Sequence, residues 1–208
     1  MIAAGGWLAG AGGAALAAAA ELDCVQVGQV MVSRPIVLGP LLGLLFGAPQ
    51  TGLALGVCCE LLSLGDLPVG GKLPLSAAVA VSAAFLLTAS PRPIPPELAL
   101  PVGLAAGQVH RRFETALRSR RKTFCAAAQA GLQRGEEPDL GRWAARAVAE
   151  QAAGTLVLLL VCVLAVGPVL HRLWPQAPRS LADGLGLAWS LAPWLGLGAG
   201  LQALKVRP

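Results

Sequence analysis

A chain of 208 residues that is 55% hydrophobic and only 13% charged, with a mean hydropathy of +0.66, is not an ordinary water-soluble domain, since those run near one-quarter charged. Its net charge of +5 does not point to nucleic acid either, because aromatic residues make up 4% and tyrosine is absent. The charge is clustered instead. Nine of the sixteen Lys and Arg lie between His110 and Arg146 and none precedes Arg34, the pattern of a cytoplasmic segment under the positive-inside rule. The expectation is an all-α integral membrane protein, a multi-span helical bundle with re-entrant or broken helices, with room for roughly five or six spans.

Residues 1–20 are rich in Ala and Gly and lack the positive leader of a signal peptide. They read as a first span buried among other helices. The polar patch Glu21-Leu22-Asp23 follows. Next come residues 25–33, with Gln26, Gln29 and Ser33 at helical spacing, closed by Arg34-Pro35. Two short apolar runs, 36–48 and 52–64, are parted by Pro49-Gln50-Thr51. Helices of that length reach about 20 Å, short of a hydrocarbon core of about 30 Å. They form either a re-entrant hairpin or one span kinked at Pro49, and the hairpin is the preferred reading.

Residues 65–72 are broken by Gly and Pro and contain Asp66 and Lys72. Residues 73–89 then run apolar, with Pro74 near the start, and the proline-rich stretch 90–96 reads as a loop. A helix is expected from Glu97, with Pro101 tolerated in its early turns. It is apolar to Val109 and charged beyond. Phe113, Leu117, Phe124, Ala128 and Leu132 keep one apolar face as it leaves the membrane. Gly135 is placed to end it and Asp139 to cap the next helix, whose apolar part covers 154–170. A loop with Arg172, Pro175, Pro178 and Arg179 leads to a last span, 181–204, before Lys205 and Arg207. With 110–150 cytoplasmic, the run to Leu170 crosses outward and the last span returns. The chain, 1–208, is thus read as one membrane-embedded domain with a basic cytoplasmic helical segment at about 110–150.

The five cysteines form no C-x-x-C and no zinc spacing, and Cys58, Cys59 and Cys162 read as small hydrophobes within apolar runs. His110 and His171 each end an apolar segment beside an Arg, which suits a membrane boundary better than a metal site. No phosphate-binding loop, zinc-protease or nucleophile-elbow motif is present. Asp183-Gly184 lacks the further aspartates of membrane CDP-alcohol phosphotransferases. No catalytic group, metal or cofactor is expected. The sharpest signal is Glu60, inside an apolar run, where an acid costs about 3 kcal/mol or more unless it meets a wet cavity or a partner. Asp66 follows in the Gly/Pro break, and breaks at membrane depth line transport sites. A carboxylate accepts two hydroxyl hydrogen bonds at once, which suits a neutral polyol. Gln29 and Asp23 join them as candidate binding residues. The alternatives are a salt bridge from Glu60 to Arg34 or Lys72, a helix-end turn role for Asp66, and simple solvation for Gln29. The basic stretch 110–122 is an orientation signal, or else a docking surface for an acidic partner or anionic lipid.

Several stretches in order carry a resemblance: Asp23; Gln29-Val30-Met31-Val32-Ser33-Arg34-Pro35; Gly39-Pro40-Leu41-Leu42-Gly43; Thr51-Gly52-Leu53-Ala54-Leu55-Gly56; Glu60-Leu61-Leu62; and Leu64-Gly65-Asp66-Leu67-Pro68-Val69-Gly70. Together with Leu104 to Val109 and Ala127 to Gly135, the succession resembles the IIC subunits of the mannose/fructose/sorbose branch of the bacterial phosphotransferase system. Two positions depart from it: Leu75 stands where an acidic residue commonly follows proline, and the helix after Gln108 is more basic than usual. The resemblance implies a multi-pass permease subunit of the bacterial inner membrane, in contact with membrane lipids and working in an oligomeric complex with a IID membrane subunit. It further implies that soluble IIA and IIB phosphocarriers deliver phosphate to the sugar, so that this chain binds and translocates it without catalysing transfer. A scaffold or sensor of a regulatory phosphotransferase branch, without active transport, is the alternative.

Overall fold

The computed structural model describes residues 2–24, 26–64, 73–135 and 137–204. They form α1 (Ile2–Leu22), α2 (Pro35–Leu45), α3 (Pro49–Ser63), α4 (Ala77–Ala89), α5 (Pro96–Gln133), α6 (Leu140–Val161), α7 (Gly167–Leu173) and α8 (Arg179–Leu204). A π turn, Cys162–Val166, joins α6 to α7, and a 3-10 turn, Trp174–Gln176, follows α7. Among the described residues there is no strand. Proline opens α2, α3 and α5, where its missing N–H is no loss and its fixed φ already suits a helix.

The two short runs fold as a pair of antiparallel helices, not as one kinked rod. Gly39 and Gly43 of α2 face Gly52 and Gly56 of α3, and a Cβ on Gly39 would collide with the backbone oxygen of Gly52. Only glycine permits backbones so close. At about 16 Å and 22 Å, the two helices are too short to cross the bilayer. Phe46, at their tip, meets Phe85 edge-on at 5.7 Å and lies against Gly13. The tip therefore reaches the middle of α1 and α4, as a re-entrant hairpin does.

Helix α4 is the centre of the bundle. Every residue from Ala78 to Leu87 is buried, consistent with a sequence apolar on all sides. It is shorter than the apolar run suggested. Residues 73–76 stay outside the helix, because Pro74 also bars the helical conformation to Leu73 before it. Gly103 and Gly107 bring α5 onto Ala80, Ala84 and Ser76. Helix α8 packs on α3 where Gly196 meets Leu61 and Gly200 meets Leu64. The outward side is oily: Leu44, Leu53, Trp194, Leu195 and Leu201 are each at least 50% exposed, a surface for lipid or another membrane subunit. The helical stretch Leu140–Gln176 and the helix Arg179–Gln202 are long and apolar enough to cross a membrane.

Helix α5 has 38 residues, a rod of about 57 Å. Its basic half runs alongside α6. Phe124 stacks on Trp143 at 6.1 Å, and Arg146 lies over the Phe124 ring. Arg121 donates to the Ala147 carbonyl at 2.7 Å. The predicted apolar face holds at Leu117, Phe124 and Ala128 and fails at Leu132, which is 62% exposed. The chain turns back at Gly135, φ +75°, before α6 can cover that residue. Asp139 caps α6 as expected, accepting from the Arg142 N–H at 2.9 Å.

Candidate functional site

The turn after α1 is built around Asp23. Its Oδ1 accepts from the Val30 N–H at 2.7 Å, and its Oδ2 from the Ser33 N–H at 3.2 Å and the Ser33 hydroxyl at 3.4 Å. The Val30 amide first, then those of Ser33 and Val32, hold this carboxyl below the ordinary range. A lowered value means that the brace is present above the unfolded-state pKa and lost only as pH falls through the folded one. Gly28, Gln29 and Met31 all take positive φ, so the segment is a tight coil and the helical spacing of Gln26, Gln29 and Ser33 is not used.

The end of α1, that coil, the end of α3, residues 73–78, α5 and α6 line an open cavity of about 370 Å³. Its polar wall includes Glu21, Gln26, Arg34, Glu60, Ser63, Glu114, Arg118 and Gln151, and Leu73, Pro74 and Leu75 add an apolar side. Of the sequence-derived candidates, Glu60 lines the cavity, while Asp23 and Gln29 do not; Asp66 lies outside the described residues. Glu60 pairs with Arg34, Oε1 to Nη2 at 2.6 Å, and its Oε2 accepts from the Ile36 N–H at 3.4 Å. It thus sits on the N-terminus of α2, where the helix dipole favours an anion. The ion pair with Arg34, which the sequence offered as the alternative to a binding role, is present at Glu60, and the same residue lines the cavity. Across the cavity, Glu114 pairs with Arg118 at 2.6 Å.

The structure adds residues that sequence reading passed over. Glu21, Glu114, Gln26 and Gln151 face the same space, and the Gln26 Oε1 is buried without a protein partner. Glu21 accepts from Gln151 Nε2 at 3.3 Å and from the Thr155 hydroxyl at 3.3 Å. The available signal was the pair Gln151 and Thr155, one turn apart where α6 becomes apolar. His110, expected to stand beside an Arg at the end of an apolar segment, is fully buried within the protein, with Nε2 2.9 Å from Thr155 Oγ1 and 3.9 Å from Glu21. His171 is exposed, its Nδ1 2.8 Å from the Pro93 carbonyl oxygen.

Donor atoms of Glu21, His110 and Glu114 lie within 4.8 Å of one another, yet they fit a metal poorly. Glu114 Oε1 is already held by Arg118. His110 Nδ1 has no partner, whereas a ligating imidazole is normally fixed through its second nitrogen. With three carboxylates against two guanidiniums, the wall is close to neutral and dense in both acceptors and donors. That arrangement suits hydroxyl groups, which donate and accept at once.

Comparison with known proteins agrees with this architecture. The profile of the family described as PTS system sorbose-specific IIC component matches residues 13–207. The protein named "Putative N-acetylgalactosamine permease IIC component 2" of Escherichia coli (strain K12) is 37% identical over 68 residues, 32% of this chain and 51% of that one. The chain therefore spans about half the length of that relative. A solved membrane-protein structure superposes with a TM-score of 0.76 at 16% identity, covering 96% of this chain and 79% of the other. A chain of the mannose transporter ManYZ in complex with microcin E492 gives 0.63 at 18% identity, with the same coverage. At such identities the structural likeness is one of fold. The match over residues 13–207 places this membrane protein in the PTS sorbose-specific IIC family.

Proposed function

We propose that the chain is the permease subunit of a phosphoenolpyruvate-dependent sugar phosphotransferase complex. In this reading it binds a sugar in the cavity beside Glu60 and carries it across the bacterial inner membrane as a multi-pass subunit. The observation that carries the reading is the near-neutral polar cavity of about 370 Å³, in a chain of the IIC family. Asp66 remains a further candidate for the site. Asp23 supports it indirectly by fixing the coil that bears Gln26 and Arg34.

The cavity lies at the same end of the bundle as the basic half of α5, for Glu114 and Arg118 belong to its wall. Under the positive-inside rule this end faces the cytoplasm. A soluble IIB carrier, itself recharged by IIA, then meets a bound sugar there without crossing the membrane. The oily outer surface is the natural seat for a IID subunit.

Native Cys24 is exposed and lines the cavity, which allows a test without mutation. In the complex with its membrane partner in lipid nanodiscs, one member of a panel of hexoses and amino sugars should protect Cys24 from a water-soluble maleimide. Cys125, exposed on α5 and away from the cavity lining, should be unaffected. If no sugar protects Cys24, the reading fails. Protection without uptake in cells carrying the whole complex would favour the sensor.

A further inference from the structure

Glu21 differs from its neighbours in the cavity wall. Glu60 and Glu114 each hold a guanidinium. Among the described residues Glu21 has no Arg or Lys within ion-pair distance and is 6% exposed. Its partners are neutral: the Gln151 amide and the Thr155 hydroxyl. Behind Thr155 stands His110, fully buried. A carboxylate charge buried this way is costly unless something compensates it.

The hydrogen positions follow from the contacts. His110 Nδ1 has no partner, so a proton there would lack an acceptor, and the neutral ring carries its proton on Nε2. Nε2–H then donates to Thr155 Oγ1 at 2.9 Å, and the single Thr155 hydroxyl proton is shared between the Gln151 carbonyl at 3.0 Å and Glu21 Oε2 at 3.3 Å. A carboxylate of α1 that opens on the cavity is thus met only by neutral donors of α6, the Gln151 amide and, in part, the Thr155 hydroxyl that His110 backs. The surrounding charges do not settle that carboxylate. From α5, Glu114 faces it with like charge and is tied to Arg118, while Arg121 is spent on the Ala147 carbonyl and, at 3.5 Å, on Gln151 Oε1. From the coil, Asp23 and Cys24 are adjacent in sequence, and Asp23 is held by backbone amides. From α6, Glu150 is taken by Arg146. From α4 there is no titratable side chain.

We propose that Glu21, backed by Thr155 and His110, is a proton-binding site in the cavity wall, filled from cavity water and emptied when a sugar hydroxyl takes the proton's place on the carboxylate. The second half of this statement rests on the sugar reading above; the first does not. Sugar hydroxyls donate more strongly to the charged carboxylate than to the neutral acid. Sugar binding therefore releases a proton, and affinity falls as the medium is acidified.

Infrared difference spectroscopy of the complex in nanodiscs, without sugar and between about pH 5 and 8, tests the site directly. A protonated-carboxyl band should disappear as pH rises, be absent from Glu21→Gln, and shift in Thr155→Val, which removes the hydroxyl donor but keeps the shape. Gln preserves the size of the side chain and removes a buried charge, and size-exclusion chromatography verifies assembly. No titrating band in the wild type, or the same band in Glu21→Gln, overturns the proposal. In the second arm, sugar affinity should drop about ten-fold towards the acid end in the wild type and stay flat in Glu21→Gln. A band without sugar binding at any pH upholds the proton site and removes the sugar reading. Sugar binding independent of pH, with no band, does the reverse.

Discussion

Glu60 combines two roles that one substitution separates. As a partner of Arg34 and a cap on α2 it belongs to the scaffold; as a carboxylate on the cavity it belongs to the sugar reading. Glu60→Gln keeps an acceptor and removes the charge that strengthens hydroxyl bonds. Sugar binding should weaken by about 1–3 kcal/mol, roughly five- to a hundred-fold. Assembly should hold, because the Arg34 side chain is 56% exposed and returns to water. Affinity and complex yield measured together check this; full assembly with unchanged binding would leave Asp66 as the residue to test. Glu60 was legible in the sequence because a charge within an apolar run is conspicuous. Glu21 was not, since Gln151 lies 130 positions away and only helix packing joins them. The burial of His110 was not legible either, as Arg111 and Arg112 beside it suggest water.

At the scale of elements, the glycine pairs Gly39/Gly43 and Gly52/Gly56 decide the hairpin. Their spacing of four and the proline between the runs were readable, and so was the shortness of each helix. A Cβ on Gly52 would meet the backbone oxygen of Gly39, which moves only if the helices part. Gly52→Ala should therefore cost about 1–3 kcal/mol or more and lower the thermal midpoint in mild detergent. Gly198→Ala, with nothing near its Cβ, should be tolerated. A hairpin unaffected by Gly52→Ala would mean looser packing than described. The non-helical residues 73–76 and the π turn at Cys162–Val166 were less legible. Pro74 and Pro168 announce that a helix must start or adjust nearby, but where the backbone yields is set by the neighbours.

For the whole molecule, the orientation we propose follows from charge. With the Lys/Arg excess inside, α1 and α5 run inward, α6 runs outward and α8 returns. Both ends of the α2–α3 hairpin then lie on the cytoplasmic side with the cavity. Cys125 is exposed on the basic half of α5 and reports on this. In a Cys24→Ser background, an impermeant maleimide should leave Cys125 unreacted in intact cells and label it once they are permeabilised. Ready labelling from outside would invert the molecule and turn the cavity to the exterior. The helical class was legible from composition and hydropathy. The cavity was not, because its wall is assembled from residues spread between Glu21 and Gln151.

The length of α5 has a mechanical consequence. Of its roughly 57 Å, the stretch from Pro96 to Val109 accounts for about 21 Å and that from His110 to Gln133 for about 36 Å. Braced by α6 through Phe124, Trp143 and Arg121, that stretch is a stiff lever with its fulcrum beside His110 and the cavity. A tilt of about 5° at the fulcrum swings the far end by about 3 Å. Adjustments no larger than a side chain settling around a ligand thereby become a displacement in water, and a protein gripping the far end gains leverage over the cavity in return.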